Sequence, residues 1–484
     1  MYVDKISNAL KKKGSSFEIV NSCFELCRLE TSELSIRKGS ELVKRAVIKN
    51  VKQGEEWYDL YRKVLLFRAP YCFEDYLIYL EIDRPPEERF YQPRRKVLKV
   101  VVEELQALAD DELDELFVSM PPRVGKTTIL MLFITWIMGR DGEASNLYSA
   151  FSAIITSAMY TGVLEVVTDS YTYNWKKVFN NSGIANTDAK KETIDIDRKK
   201  RYPTLTCRSL YGTLNGACDC SGYLISDDLI GGIEEALNKD RLMNAWSKVT
   251  NNLIPRTKQF AKKIWIGTRW SLIDPAGLRM DFLQNNEEGK KVRFKIINLP
   301  ALNENDESNF DYDYNVGFNT DYYKQLRTQF ERNNDMASWQ AQYMGEPIER
   351  DGALFTPDTM NFYNGVIADE PVRNYMTVDV AWGGGDYVSA PVCVETENGD
   401  FIPDVVFNNG DKTITRPLIV DCIIRNNVKY VQFEANNGGS EYAEWVENEL
   451  KQRDYKCTIT SKSAPTNKRK EARIFERAPE IREF

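Results

Sequence analysis

Gly125-Lys126-Thr127-Thr128 lies between an apolar triplet, Leu116-Phe117-Val118, and an apolar run over 129–138. A strand, a glycine turn and a helix in that order aim backbone N–H groups and a helix N-terminus at phosphate oxygens. Gly125 lets the backbone approach, Lys126 can bridge β- and γ-phosphates, and the Thr127 hydroxyl can hold Mg²⁺. The usual spacing is G-x-x-x-x-G-K-[ST], and here Met120 stands where its first glycine would be. Downstream, Gly222 to Asp228 (GYLISDD) reads as a strand ending in acids. In a nucleotide site Asp227 would help hold Mg²⁺, and Asp228 would orient the attacking water. The plainer alternatives are a chance Gly-Lys-Thr before a core helix and a surface strand end that happens to carry acids.

Other chemistry-bearing residues are less specific. Thr268-Arg269 ends an apolar strand (AKKIWIGTRW) and could sense a γ-phosphate, or could be an ordinary polar strand end. Gln92, upstream of the phosphate loop, has an amide able to read both N6 and N7 of adenine, or is a helix-entry glutamine. Asp379 falls within one strand pattern and Glu434 at the end of another, with Asp386 after Gly383-Gly384-Gly385. Carboxylates on adjacent strands can hold the divalent metals, Mg²⁺ or Mn²⁺, that phosphodiester hydrolysis uses.

Composition narrows the chemistry. The chain has no histidine, so every acid, base and ligand role falls to carboxylates, metals or water. Nine scattered cysteines suit a reduced, intracellular setting, and Cys218 and Cys220 with Cys207 lack the second pair a zinc site needs. A net charge of −8 argues against a protein that coats nucleic acid, but not against one that grips it locally. No apolar run reaches the roughly 18 residues of a membrane span, and the N-terminus lacks a secretory signal.

These residues require a particular order of elements. Residues 1–80 carry helical patterning, with basic pairs at Arg37-Lys38 and Lys44-Arg45 that read as a solvated helix face or a binding surface. Residues 81–300 read as an α/β nucleotide-binding domain: a helix from about 94 to 108, strands at 116–118, 146–151, 222–228 and 261–270, and an exposed polar excursion over 185–206. Residues 301–370, rich in Asn, Asp and Tyr, read as a linker with a helix at WQAQY. From 371 the pattern is strand, strand, strand, helix, strand, helix, strand, with the first helix over 417–424.

Taken in order, Gln92, MPPRVGKTT, SDD, GTRW, WQAQYMGEP, VDVAWGGGDY and FEANNGG resemble the large terminase subunit of tailed bacteriophages. The resemblance spans about 85–475. It implies a P-loop ATPase domain with a mostly parallel central sheet, followed by an RNase H-like nuclease domain. The implied activity is ATP-driven packaging of double-stranded viral DNA into a procapsid, with metal-dependent cutting of concatemers. The implied partners are a portal protein, a small terminase subunit and further copies in a ring, pentameric in related motors, in the host cytoplasm. Arg123 matches a position where the family often has an arginine that contacts the γ-phosphate. Arg140 and Arg208 are candidates for an arginine acting on a neighbour's site. The family's nuclease also has a third acid on a helix near the C-terminus, but no Asp follows Asp454, and Glu480 and Glu483 are poor substitutes. The domain therefore reads as incomplete at its C-terminus. A DNA translocase or helicase-type ATPase whose C-terminal domain binds nucleic acid without cutting it is the alternative reading. A regulatory subunit that binds nucleotide without turnover is another.

Overall fold

The computed structural model describes residues 2–13, 16–214, 216, 218–333, 335–347, 360–381, 387–435, 438–463 and 477. It divides into two units, Met1–Glu349 and Arg350–Phe484.

The first unit is built on a sheet of order β3-β4-β5-β2-β6-β7-β1-β8. Its strands are β1 (Glu115–Ser119), β2 (Asn146–Ala150), β3 (Ile184–Asp188), β4 (Thr193–Ile196), β5 (Leu205–Ser209), β6 (Tyr223–Asp227), β7 (Lys262–Gly267) and β8 (Phe294–Asn298). The pairs from β5 across to β8 are parallel, and β3–β4 and β4–β5 are antiparallel. A parallel sheet covered on both faces needs strands apolar on both sides. That explains the unbroken Leu116-Phe117-Val118, whose strand β1 is buried at every position.

The helix Lys126–Arg140 is apolar nearly all round because it too is covered on two sides. It packs on the sheet and against the N-terminal helix Phe73–Leu80. There Phe73 meets Phe133 edge-on at 5.2 Å, and the Tyr76 hydroxyl lies 2.7 Å from Thr135 Oγ1. The preceding helices, Tyr2–Lys13, Phe17–Cys27, Glu33–Asn50 and Glu55–Arg68, bury their own cluster around Val20, Phe24, Val47, Trp57 and Leu60. Here Arg37 and Lys44 depart from the solvated-face expectation, while Lys38 is exposed in keeping with it. Lys44 is buried against Asp75, which also accepts from Arg68 Nε at 2.5 Å, and Arg37 pairs with Asp110 at 2.6 Å. Arg45 does stay in solvent, 71% exposed.

Three stretches differ from the sequence reading. The excursion over 185–206 is the antiparallel edge of the sheet: β4, with Thr193 and Asp195, is wholly buried. The polar Thr193 and Asp195 of this inner strand, the latter accepting from Asn186 Nδ2 at 3.3 Å, disguise it as loop. β8 carries Lys295 and Asn298 on a sheet edge and so gives no apolar run. Residues 301–347 are no linker. Phe310, Tyr312, Tyr323 and Trp339 are buried in the same core as the Lys126–Arg140 helix, and Ala301 N donates to Tyr343 O at 2.7 Å.

The second unit is a sheet of order β11-β10-β9-β12-β13, from β9 (Arg373–Val378), β10 (Val388–Thr396), β11 (Gly399–Asn408), β12 (Tyr430–Glu434) and β13 (Thr458–Lys462). β9 to β11 are antiparallel neighbours, and β12 and β13 continue parallel to β9. The helices Lys412–Arg425 and Gly439–Gln452 bury Ile419, Ile423, Tyr442 and Val446 against Val378, Val392, Val431 and Phe433. The first helix starts before Pro417 because Asp411 caps it, accepting from Thr413 N at 2.7 Å.

Candidate functional site

The phosphate loop turns sharply between β1 and the Lys126–Arg140 helix. Gly125 lies in the left-handed region at φ 108°, and Arg123 at φ 65°. A Cβ on Gly125 would come within 2.9 Å of the Phe90 ring, so only glycine fits both the conformation and the space.

Parallel pairing brings the acids to this loop. β6 and β7 are in register at Asp227 and Ile266, with Asp227 beside Ala150 of β2. Thr127 Oγ1 donates to Asp227 Oδ2 at 2.9 Å, and the Tyr148 hydroxyl donates to the same oxygen at 2.8 Å. Burial and the neighbouring Asp228 charge raise the Asp227 pKa. Asp228 sits at φ 41°, and its Oδ1 accepts from Thr268 N at 2.7 Å. Lys126 Nζ donates to Thr268 Oγ1 at 2.6 Å and to Met120 O at 3.1 Å, and lies 3.6 Å from Asp228 Oδ2. Met120, in place of the usual glycine, thus serves through its carbonyl.

Next to this cluster is a cavity of about 450 Å³ lined by Arg123, Gly125, Lys126, Thr127, Thr128, Asp228 and Thr268, together with Phe90, Arg94 and Trp270. Asp227 Oδ1 is buried with no hydrogen-bond partner. An orphaned carboxylate oxygen beside a threonine hydroxyl is the donor set a hard divalent cation takes, so these residues fit Mg²⁺.

Two sequence-predicted residues are placed elsewhere. Gln92 is exposed, accepts from Arg89 Nη1 at 2.5 Å and is not among the cavity's lining residues. It sits in the first turn of the helix Tyr91–Ala109, whose Arg94, one turn on, lines the cavity with Phe90. Arg269 points away from the cavity into an ion pair, Nε to Asp274 Oδ2 at 3.0 Å, and Asp274 caps the helix Pro275–Asn285. Of the GTRW residues, Thr268 and Trp270 line the cavity instead. Arg140 pairs with Glu33 at 2.9 Å, and Arg208 donates to Cys207 O at 2.8 Å.

Sequence reasoning missed Tyr148, Tyr312, Phe90 and Arg94. Tyr312 donates to Val124 O of the phosphate loop at 3.1 Å, and its ring lies 5.3 Å from the Arg94 guanidinium. No local motif marks them, because they meet the loop only through the tertiary fold.

In the second unit, Phe433 pairs with Val378 in parallel register, so Glu434 follows beside Asp379. Asp379 also bridges to Ser389 of β10 through backbone bonds of 2.9 and 3.0 Å. Both carboxylates are half-buried. Asp386 lies outside the described residues, as do Glu480 and Glu483. Among the described residues there is no group of three or more acids and cysteines able to hold a metal ion. Nor is any described helix long and apolar enough to cross a membrane.

Residues 378–481 match the family described as Terminase Bacteriophage T7, Ribonuclease H-like domain. Among solved structures, the large terminase of a thermophilic bacteriophage in complex with ADP is 12% identical with a TM-score of 0.33, covering 81% of this chain and 87% of its own. The HK97 bacteriophage large terminase is 9% identical with a TM-score of 0.35, covering 78% of this chain and 84% of its own. No curated protein matches. The chain resembles the large terminase subunit of tailed bacteriophages, and its second unit carries the RNase H-like domain matched over 378–481.

Proposed function

We propose that this protein is an ATP-driven motor that packages double-stranded viral DNA into a procapsid and cuts it with a metal-dependent endonuclease domain. The observation that carries the ATPase half is the convergence of Lys126, Thr127, Asp227 and Asp228 at adjoining strand ends.

ATP phosphates lie against the N–H groups of the loop and the N-terminus of the Lys126–Arg140 helix. Lys126 exchanges its bonds to Thr268 and Met120 for β- and γ-phosphate oxygens. Mg²⁺, when bound, neutralises phosphate charge. Thr127 and Asp227 would hold it, and Arg123 would supply a further cation from the loop. Asp228 orients the attacking water, and its hydrogen bond from Thr268 N ties that carboxylate to the end of β7. Thr268 touches both Lys126 and Asp228, so it reports phosphate loss to the sheet. In the second unit, Asp379 and Glu434 would hold divalent metal for strand cutting, with Mn²⁺ or Mg²⁺. Portal, small terminase subunit and further copies in a ring complete the motor, acting in the cytoplasm of an infected host.

A DNA translocase with a non-cleaving second unit is the other reading. ATP turnover and cleavage of linear duplex DNA, each assayed with Mg²⁺ and with Mn²⁺, separate the two. Turnover with metal-dependent cutting supports the motor-nuclease. Turnover without cutting supports the translocase, and no turnover overturns both.

A further inference from the structure

We propose that Tyr148 is a positioning residue of the nucleotide site, whose hydroxyl holds the Asp227 carboxylate in the orientation in which it meets the nucleotide's divalent cation. This rests on the ATPase reading above.

Tyr148 lies in the middle of β2 with its side chain fully buried, paired with Ile225 of β6, two positions before Asp227. Its hydroxyl and that of Thr127 converge on one oxygen, Asp227 Oδ2, at 2.8 and 2.9 Å. The other oxygen, Oδ1, is buried without a partner. Two donors on one oxygen fix the plane of the carboxylate and leave Oδ1 to a cation or its water.

The two tethers are not equivalent. The Thr127 oxygen would itself be a ligand of the cation, so it could not serve Asp227 alone. Tyr148 belongs to β2 of the sheet, so its tether draws on no residue of the phosphate loop.

The choice of a phenol also matters. A lysine or arginine in its place would neutralise Asp227 and compete with the cation, whereas a phenol fixes the acid without cancelling its charge.

Tyr148→Phe keeps the ring and its packing and removes only the hydroxyl. In the full chain, Mn²⁺ binding with ADP is read by electron paramagnetic resonance, and binding of fluorescent ADP is read in EDTA. The expected result is about a tenfold weaker Mn²⁺ affinity, the scale on which groups that orient a metal ligand act. Metal-free ADP affinity should stay within about twofold, and the Mg²⁺ needed for half-maximal ATP turnover should rise in parallel. Thr127→Ala gives the reference loss for the other tether. Unchanged Mn²⁺ affinity in Tyr148→Phe, or equal weakening of Mn²⁺ and metal-free ADP, overturns the positioning role while leaving the ATPase reading intact. A wild-type chain that binds neither Mn²⁺ with ADP nor turns over ATP overturns both.

Discussion

Asp227 and Asp379 each sit at the C-terminal end of a strand inside a sheet, yet their surroundings differ. Asp227 is 0% exposed, takes two hydroxyl donors on one oxygen, and stands beside an acid whose own oxygen is tied to Thr268 N. Asp379 is half-buried beside Glu434, and the bonds that hold it to β10 are made by its backbone. The difference is one of burial: Asp227 is closed off from solvent, and Asp379 is not. A phosphate-transfer site must present charge at fixed points before the reaction, and it is set by strands and a helix of one sheet. Neighbouring carboxylates such as Asp379 and Glu434 are of the type that divalent cations take as ligands.

If the sites are as separate as this contrast implies, single substitutions divide the activities. Lys126→Ala should abolish ATP turnover and leave metal-dependent cutting of a short duplex intact. Asp379→Ala should do the reverse. Either substitution removing both activities, in a chain whose melting temperature is unchanged, would break the separation.

Within the nucleotide site, Asp228→Asn tests the role of the second acid. The amide can still accept from Thr268 N, so ADP affinity should be near normal. Turnover should fall by about 10²-fold or more, as for loss of a positioned base or water-orienting group. Turnover at the wild-type rate would remove Asp228 from the chemistry.

The contrast also explains what was legible in the amino-acid sequence. Motifs whose chemistry is local showed clearly: the glycine turn into Lys126 and Thr127, and the acids closing β6. The second unit's strand order was legible because each strand alternates or is bounded by turns, as in β10, where buried and half-buried residues alternate. Contacts made across the fold were not. Tyr312 lies in a polar stretch that reads as linker, yet it reaches the carbonyl of Val124. Arg269 reads as a phosphate sensor, but a nearby helix start needed its Asp274 cap held in place. A strand-end arginine has the same sequence signature in either role.

That last point predicts a stability effect in place of a binding one. Arg269→Ala leaves Asp274, 3% exposed, without its cation, although Gly277 N still donates to it at 2.7 Å. A charge-assisted hydrogen bond of this kind contributes about 1.5–3 kcal/mol. A lower denaturation midpoint with unchanged ADP affinity is expected. An intact midpoint with weakened ADP would return Arg269 to the phosphates.

The smallest expected effects concern the cavity wall, which Arg94 lines and the sequence-predicted Gln92 does not. Arg94 lines the cavity, with its guanidinium 4.9 Å from the Phe90 ring and 5.3 Å from the Tyr312 ring. Among the described residues no carboxylate forms an ion pair with it, and burial lowers its pKa. A desolvated cation with no ion-paired carboxylate gains from an anionic or electron-rich ligand entering beside it. Arg94→Ala should therefore weaken ADP binding by about tenfold, equivalent to roughly 1.4 kcal/mol. Gln92 faces solvent with its carbonyl oxygen engaged by Arg89, so Gln92→Ala should change ADP affinity by less than about twofold. Titration of fluorescent ADP and fluorescent GDP into both variants reads this directly. A larger loss in Gln92→Ala than in Arg94→Ala, selective for the adenine nucleotide, would mean that the helix entry at Tyr91 rearranges to bring the glutamine onto the base.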